Sequence, residues 1–289
     1  MQPGVIFPQT EIGADPGAVR AFAQASWELG YVHLLAYDHV VGADPAVHQG
    51  WSGAYDLHTT FHEPFVLFGY LAGVTSLELV TGIVILPQRQ TVLVAKQAAE
   101  VDLLTDGHFR LGVGIGWNAV EYEALGKDFS NRGARLTEQV ELLRRLWSEE
   151  SVTYDGDFEH VTGAGIAPLP VQRPIPVWFG GRSAPAYRRI GRLADGWFPL
   201  MTPGPDLDAA RAIIGEAAAA AGRDPRTIGM QGRIAYGAGD LDAISREHAA
   251  WLSLGASHVS INTMGSGFQN VDDHVAAIAR AATVLVGVG

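Results

Sequence analysis

Short runs of β-branched and aromatic residues alternate along the chain with longer segments whose apolar side chains recur every three or four positions. The first pattern predicts buried strands, and the second predicts amphipathic helices. Eight segments have the strand pattern, namely Gly4–Phe7, Tyr31–Tyr37, Glu78–Leu86, Phe109–Gly114, Pro176–Gly180, Gly196–Pro199, Ile228–Ala235 and His258–Asn262. Eight segments have the helical pattern, namely Gly17–Leu29, Pro64–Leu71, Val92–Leu104, Arg132–Trp147, Pro185–Leu193, Leu207–Ala221, Leu241–Leu254 and Val271–Leu285.

The even alternation predicts an α/β fold in which crossover helices connect the strands of a parallel sheet. Eight strand–helix units are typical of a closed (β/α)8 TIM barrel, whose catalytic groups lie at the C-terminal ends of the strands. A doubly wound open sheet is the alternative, but it needs a topological switch point that the alternation does not indicate. The residues that follow each strand are therefore the candidates for catalytic and binding roles.

Two connections are longer than ordinary barrel loops, Val40–Glu63 after the second strand and Ser148–Pro174 before the fifth. Insertions at strand ends usually cover or shape the active site of a barrel, so we expect both at the C-terminal ends of the strands. The second insertion contains Asp155-Gly156, a pair that is typical of the turn in a small β-hairpin.

Composition and charge indicate which kinds of molecule the protein can bind. The chain has 289 residues, of which 47% are hydrophobic and 18% charged, so it can bury a large core, and we expect a single domain over 1–289. A net charge of −11 without a basic cluster argues against nucleic acid and anionic membranes, and the absence of Cys excludes thiolate chemistry. Without a signal-peptide pattern or a membrane-spanning stretch, we expect a cytoplasmic protein that acts on a small molecule.

Asp38-His39 comes directly after the second predicted strand. A carboxylate next to an imidazole can orient the ring or shift its pKa, and imidazole is the natural proton carrier near neutral pH. From position alone, a pair of solvated loop residues is an equal alternative.

Two glycine-rich segments also follow strands. The glycines of Gly112–Asn118 let a planar ring or a phosphate approach the backbone, although a tight turn explains them as well. Gly180–Ser183 opens a helix and has the glycines, hydroxyl and positive charge of an anion nest, the alternative being a glycine turn with Ser183 as N-cap.

Two further features concern the strand geometry and metal binding. Gly82 inside an apolar strand predicts a β-bulge or a close approach of the backbone. His58, His62 and Glu63 have the order H-x-x-x-H-E, and a helix begins at Pro64 after them. The two histidines would not share a helical face, so we expect no metal site.

Together, in this order, the motifs resemble the luciferase-like monooxygenase superfamily, and more closely its actinobacterial branch of enzymes that depend on coenzyme F-420, a deazaflavin. The resemblance extends over nearly the whole chain. Its most specific stretches are Leu86-Pro87-Gln88-Arg89, Ala95–Ala99, Gly112–Asn118 with Glu121-Tyr122, Pro168–Pro176, Gly180–Ser183 and Ala194–Trp197.

The resemblance implies that a flavin or deazaflavin ring lies across the mouth of the barrel. It implies that the bulge at Thr81-Gly82 backs the ring through a non-prolyl cis peptide, and that Gly114 and Gly116 line the ring edge. Asp38 would contact the ring or its ribityl chain.

The resemblance also assigns the catalytic and phosphate-binding roles. His39 would stand near the reactive carbon of the ring as proton donor or acceptor. The residues that would hold the cofactor phosphate are Gly180, Gly181, Arg182 and Ser183.

Two positions depart from the family pattern. Related sugar-phosphate dehydrogenases have a catalytic glutamate where this chain has Trp117, which argues against sugar-phosphate oxidation and for an apolar or aromatic substrate stacked above the ring. Gln90-Thr91 stands where relatives often have a proline, which affects only the start of a helix.

The leading functional hypothesis is hydride transfer between coenzyme F-420 and an organic small molecule, with His39 carrying the proton. The second is an FMN-dependent monooxygenase that receives reduced flavin from a separate reductase and activates dioxygen. The third is a non-catalytic flavin-binding barrel, which would need the phosphate nest but not His39. The resemblance also favours a homodimer.

Overall fold

Eight parallel strands close into a barrel in the computed structural model, which describes residues 1–287. In chain order the strands are β1 (Gln2–Ile6), β2 (His33–Ala36), β3 (Glu78–Thr81), β4 (Val84–Ile85), β5 (Phe109–Gly114), β6 (Val152–Asp155), β7 (His160–Ala164), β8 (Val177–Gly180), β9 (Gly196–Phe198), β10 (Gly229–Ala235) and β11 (His258–Asn262). The wall runs β1-β2-β3-β5-β8-β9-β10-β11, and parallel pairing of β11 with β1 closes it.

Helices surround the barrel and connect its strands. They are α1 (Pro16–Glu28), α2 (Pro64–Leu71), α3 (Thr91–Leu104), α4 (Ala119–Ala124), α5 (Arg132–Ser148), α6 (Ala184–Leu193), α7 (Pro205–Ala220), α8 (Leu241–Ser253) and α9 (Val271–Leu285). The predicted (β/α)8 barrel is confirmed. Across residues 1–287, none of the helices has the length and apolarity needed to span a lipid bilayer.

The inner face of the barrel has an apolar layer above a polar one. The apolar layer consists of Ile6, Leu35, Val80, Trp178 and Phe198, all of them buried. Toward the N-terminal ends of the strands, the Arg110 guanidinium donates to Gln231, and Gln231 donates to Ser260. We call His33, Arg110, Gln231, His258 and Ser260 the polar layer; it closes the bottom of the barrel, so that the opening lies at the C-terminal strand ends.

The predicted bulge interrupts the third strand of the barrel. Val80 pairs with Arg110 and Val84 pairs with Val113, so three residues of one strand lie opposite two of its neighbour. The Thr81 hydroxyl fills the gap, because it accepts from the Gly112 amide at 2.7 Å and donates to the Gly112 carbonyl at 2.9 Å.

The expected cis peptide at this bulge is absent. Over residues 1–287, the cis bonds precede Pro168 and Pro174, and the peptides around Gly82 are trans. The bulge is accommodated instead by a positive φ of 152° at Ile83, a conformation that a β-branched residue rarely adopts.

The second insertion contains the expected hairpin, β6–β7, but it does not lie over the mouth. Glu138 of α5 accepts hydrogen bonds from the amides of Asp157, Phe158 and Glu159, and Lys96 of α3 donates to the carbonyl of Ala167. Because this segment leads from a helix into a strand, it begins at the N-terminal end of the barrel and packs along the outside of α3 and α5.

Candidate active site at the barrel mouth

His39 follows β2 at the C-terminal end of the barrel, and its side chain is 12% exposed. Its Nδ1 atom lies 3.4 Å from Oε2 of Glu121, whose side chain has no exposed surface. This distance is long for a hydrogen bond. An ionised carboxylate beside Nδ1 favours the tautomer that has its proton on Nδ1, which leaves Nε2 as an acceptor.

Glu121 lies on the short helix α4 and is held from three sides. It accepts hydrogen bonds from the backbone amide of Val40 and, at 3.1 Å, from Nε2 of Gln88. Burial alone would raise the pKa of Glu121, but the contact with His39 and the hydrogen bonds from Val40 and Gln88 hold that pKa below its ordinary value. The site therefore keeps a buried, ionised carboxylate behind the imidazole.

Asp38 is turned away from the mouth into a second buried network. Its Oδ1 accepts from the Arg89 guanidinium at 2.8 Å, and its Oδ2 accepts from the Ile85 amide at 3.2 Å. The same guanidinium donates to Glu63 at 2.9 Å. Because both carboxylate oxygens are already engaged, Asp38 here anchors the backbone that carries His39, and its contact with a cofactor stays a prediction.

An aromatic wall, which we define as Tyr55, Phe61 and Trp117, surrounds the imidazole. The ring centroids of these residues lie 5.0, 4.8 and 5.8 Å from that of His39. Tyr55 and Phe61 come from the first insertion, which covers the strand ends as expected. His39, Tyr55 and Phe61 line a cavity of about 350 Å³. Trp117 is 42% exposed and lines a neighbouring cavity together with Trp51 and Gly53.

The floor of the mouth is apolar. We define it as Tyr37, Ile83 and Met264, which pack on the buried apolar layer of the barrel, together with Phe198, the member of that layer that ends strand β9. Ile83 requires glycine at two neighbouring positions, because a Cβ atom on Gly114 or Gly180 would lie 2.6 or 2.4 Å from its side chain. These two glycines therefore flank Ile83, whose side chain occupies the space that a Cβ atom on either of them would need.

The predicted phosphate nest lies at the start of helix α6. Arg182 and Ser183 are exposed, and the Ser183 hydroxyl accepts from the Ala186 amide at 3.4 Å, so the residue is also the N-cap. Gly181 lets the chain pass close to the helix, because a Cβ atom there would lie 2.7 Å from Cβ of Ala186. A helix N-terminus, an exposed guanidinium and a hydroxyl together suit a phosphate.

A family model described as luciferase-like monooxygenase matches residues 3–283. The chain belongs to the luciferase-like monooxygenase family.

Relatives in this family use different cofactors. The Mycobacterium tuberculosis protein Rv0953c, which is uncharacterized, is 29% identical over 293 residues and covers 99% of both chains. The FMNH(2)-dependent dimethylsulfone monooxygenase of Pseudomonas putida is 25% identical and covers 86% of this chain and 69% of its own. The F420-dependent glucose-6-phosphate dehydrogenase of Segniliparus rotundus is 36% identical, but over 119 residues that cover 40% of this chain and 35% of its own.

Solved structures of other proteins share the barrel. The monooxygenase RslO1 from Streptomyces bottropensis superposes with a TM-score of 0.78 at 19% identity, covering 99% of both chains. An F420-dependent secondary alcohol dehydrogenase, solved with an F420-acetone adduct, superposes with a TM-score of 0.74 at 16% identity and covers 97% of this chain and 98% of its own. At these identities the likeness establishes the fold.

At the C-terminal strand ends the barrel brings His39 into contact with Trp117, and Gly114 and Gly180 flank Ile83. Sequence reasoning missed the positioning role of Glu121, the apolar floor residue Ile83 and the aromatic residues of the first insertion. Glu121 was visible only as part of a motif, whereas its contact with His39 spans 82 positions of the chain and depends on the fold.

Proposed function

We propose that this protein is an oxidoreductase that transfers hydride between coenzyme F-420 and an organic small molecule at the barrel mouth. The observation that carries the proposal is the His39 imidazole at the C-terminal strand ends, backed by the fully buried carboxylate of Glu121. A binding module has no use for a proton carrier that is held in one tautomer, whereas hydride transfer to or from a carbonyl or hydroxyl needs one.

The residues at the mouth fit a tricyclic ring with a phosphorylated side chain. The apolar floor presents Ile83 and Phe198 to a flat ring, and the nest at Arg182 and Ser183 suits the phosphate. The cofactor would supply the hydride chemistry, and this chain would orient it and exclude competing reactions. Two buried carboxylates near His39 have cationic or polar protein partners, since Glu121 contacts the imidazole and Asp38 pairs with Arg89.

His39 would move the proton that accompanies the hydride. With Nδ1 protonated against Glu121, Nε2 is the acceptor for a substrate hydroxyl during oxidation. In the reverse direction the protonated imidazole would donate from Nε2, and the Glu121 carboxylate would stabilise its positive charge. The aromatic wall would hold an apolar or aromatic substrate against the ring, with Trp117 as the accessible face.

An FMN-dependent monooxygenase is the second candidate, and the 25% identical dimethylsulfone monooxygenase over 86% of this chain supports it. Such an enzyme would need a partner reductase to supply the reduced flavin. The matched segment of 119 residues in the F420-dependent dehydrogenase, at 36% identity, favours the deazaflavin.

The nest is tested with the double variant Arg182→Gln/Ser183→Ala and the matched control Arg188→Gln, an exposed arginine further along the same helix. The loss of charge-assisted hydrogen bonds should weaken cofactor binding by about tenfold or more in the double variant. The control should bind like the wild type. Unchanged cofactor affinity in the double variant would contradict the placement of the phosphate at this nest.

The proton carrier is tested with His39→Gln, which keeps a polar side chain but cannot carry a proton. We expect cofactor affinity within about twofold of wild type and a rate of hydride transfer lower by about a hundredfold or more. A variant that binds the cofactor and turns over at the wild-type rate would contradict the role of His39, and it would leave the non-catalytic and monooxygenase hypotheses.

We also propose that the chain forms a homodimer through α2 and α3. Apolar side chains stand in solvent on both helices, among them Val66, which is 73% exposed, and Leu93, which is 52% exposed. Burial of such side chains is the usual driving force of stable homodimers.

A further inference from the structure

Arg233 is a charged residue on the inner face of the barrel wall. It lies in β10, where alternate side chains point inward. Two positions before it, Gln231 donates to Ser260 inside the barrel, and Gly229 faces the ring of Trp178. The residues between them face outward, since a Cβ atom on Gly232 would meet the ring of Trp251 on α8. Arg233 therefore points into the barrel.

Although it points inward, Arg233 is exposed, and so is Ala235 above it on the same face. The barrel is thus open to solvent along the C-terminal half of β10. In the wall order, β10 stands four strands from β3, so Arg233 lies across the mouth from the bulge that carries Ile83.

The neighbours of Arg233 supply hydrogen-bond donors. Tyr55 lines the cavity beside His39, and its ring centroid lies 5.0 Å from that of the imidazole. Burial and the neighbouring Tyr37 raise the pKa of Tyr55, and the positive charge of Arg233 opposes that rise. Asn262 on the next strand accepts the Met264 amide through Oδ1 at 3.1 Å, which leaves its amide nitrogen for another partner.

The charge of Arg233 has no counter-ion at the mouth. Among residues 1–287, no hydrogen bond or ion pair joins its guanidinium to another side chain. Glu121 is engaged by His39, and Asp38 by Arg89. Glu247, which feels the charge of Arg233, belongs to α8 outside the wall.

We propose that Arg233 binds a carboxylate of the substrate, so that the substrate class is an aromatic or apolar carboxylic acid. The guanidinium fork matches the two oxygens of a carboxylate, and a single positive charge suits a single negative one. The aromatic wall would hold the apolar body near His39, and Arg233 would fix its acidic end. This inference rests on the proposed function, since it names the substrate of the same site.

The inference can be tested without the natural substrate. Two probe pairs, benzoate with benzamide and phenylacetate with phenylacetamide, are titrated into the full chain, first alone and then saturated with coenzyme F-420. Each pair has the same ring and nearly the same shape, so the ratio of the two affinities isolates the charge. The variants are Arg233→Gln, Arg233→Lys and, as a control, Arg226→Gln, an exposed arginine outside the mouth.

The wild type and the control should bind each carboxylate about tenfold or more tightly than its amide, with a preference that declines as salt rises. Arg233→Gln should abolish the preference, and Arg233→Lys should retain part of it. The proposal is overturned if the wild type has no preference, or if Arg233→Gln keeps it.

The second source of negative charge is the cofactor. If Arg233→Gln weakens coenzyme F-420 binding by about tenfold while the carboxylate preference persists, Arg233 binds the cofactor and not the substrate, and the proposal is overturned. Because the probes are also titrated into the cofactor-free chain, failure of coenzyme F-420 to bind would refute the proposed function while leaving the test of Arg233 readable.

Discussion

Acid should destabilise this barrel through the histidines of its polar layer, and replacement of His258 by Gln should remove a defined part of that loss. Burial, the charge of Arg110 and the amino terminus together lower the pKa of His258 to about 3. The unfolded chain would titrate the same imidazole near its ordinary pKa of about 6.5. The folded protein therefore holds His258 neutral at pH values where the unfolded chain protonates it.

The sign follows from proton counting. Below about pH 6.5 the unfolded chain binds more protons than the folded one, so the free energy of unfolding falls as the pH falls. With a folded pKa of about 3, the titration of His258 alone lowers the free energy of unfolding by about 2 kcal/mol between about pH 7 and pH 5. The pKa of His33 is lowered in the same direction by its complete burial.

The assay is urea unfolding at the two pH values, followed by tryptophan fluorescence. From pH 7 to 5, the wild type should lose about 2 kcal/mol more than His258→Gln, whatever the absolute stability of the variant. His58→Gln, which removes an exposed imidazole, is the control and should parallel the wild type. Equal losses in the wild type and His258→Gln would refute the reasoning.

Three other predictions concern single side chains. Thr81→Val keeps the shape of the side chain but leaves the buried amide and carbonyl of Gly112 without partners. It should lower the free energy of unfolding, measured in urea, by about 2–4 kcal/mol, whereas the exposed Thr283→Val should lower it by less than about 0.5 kcal/mol. Glu121→Gln should convert His39 from the Nδ1-protonated tautomer to a mixture of the two neutral tautomers, which nitrogen NMR at about pH 8 distinguishes. An unchanged tautomer would contradict the positioning role of Glu121. Val66→Lys should shift a dimer to a monomer in light scattering, and a wild type that is already monomeric would contradict the proposed interface.

The barrel itself was readable from the sequence because its strands are buried and its helices amphipathic. Phe109–Gly114 and His258–Asn262 were predicted with the observed bounds, as were the helices Pro64–Leu71 and Val271–Leu285. Helix α4 was missed because its six residues are too short to show a period.

The contacts that build the site were harder to predict because they join distant parts of the chain. Asp38 lies beside a strand end, as a catalytic carboxylate would, yet its partner Arg89 is 51 positions away and turns it inward. The second insertion was placed wrongly over the mouth because length alone does not tell which end of the barrel a segment serves. Arg233 was missed, because alternation along a predicted strand gives two sets of residues, and the contact of Gly232 with Trp251 is needed to tell which set faces inward.

The central claim, that the mouth holds coenzyme F-420, is tested most directly by titrating the purified wild-type protein with coenzyme F-420 and with FMN in parallel and following ligand fluorescence. We expect saturable binding of coenzyme F-420 that is at least tenfold tighter than that of FMN, and a loss of this affinity in Arg182→Gln/Ser183→Ala. Tight binding of FMN with weak or no binding of coenzyme F-420 would contradict the claim and favour the flavin monooxygenase.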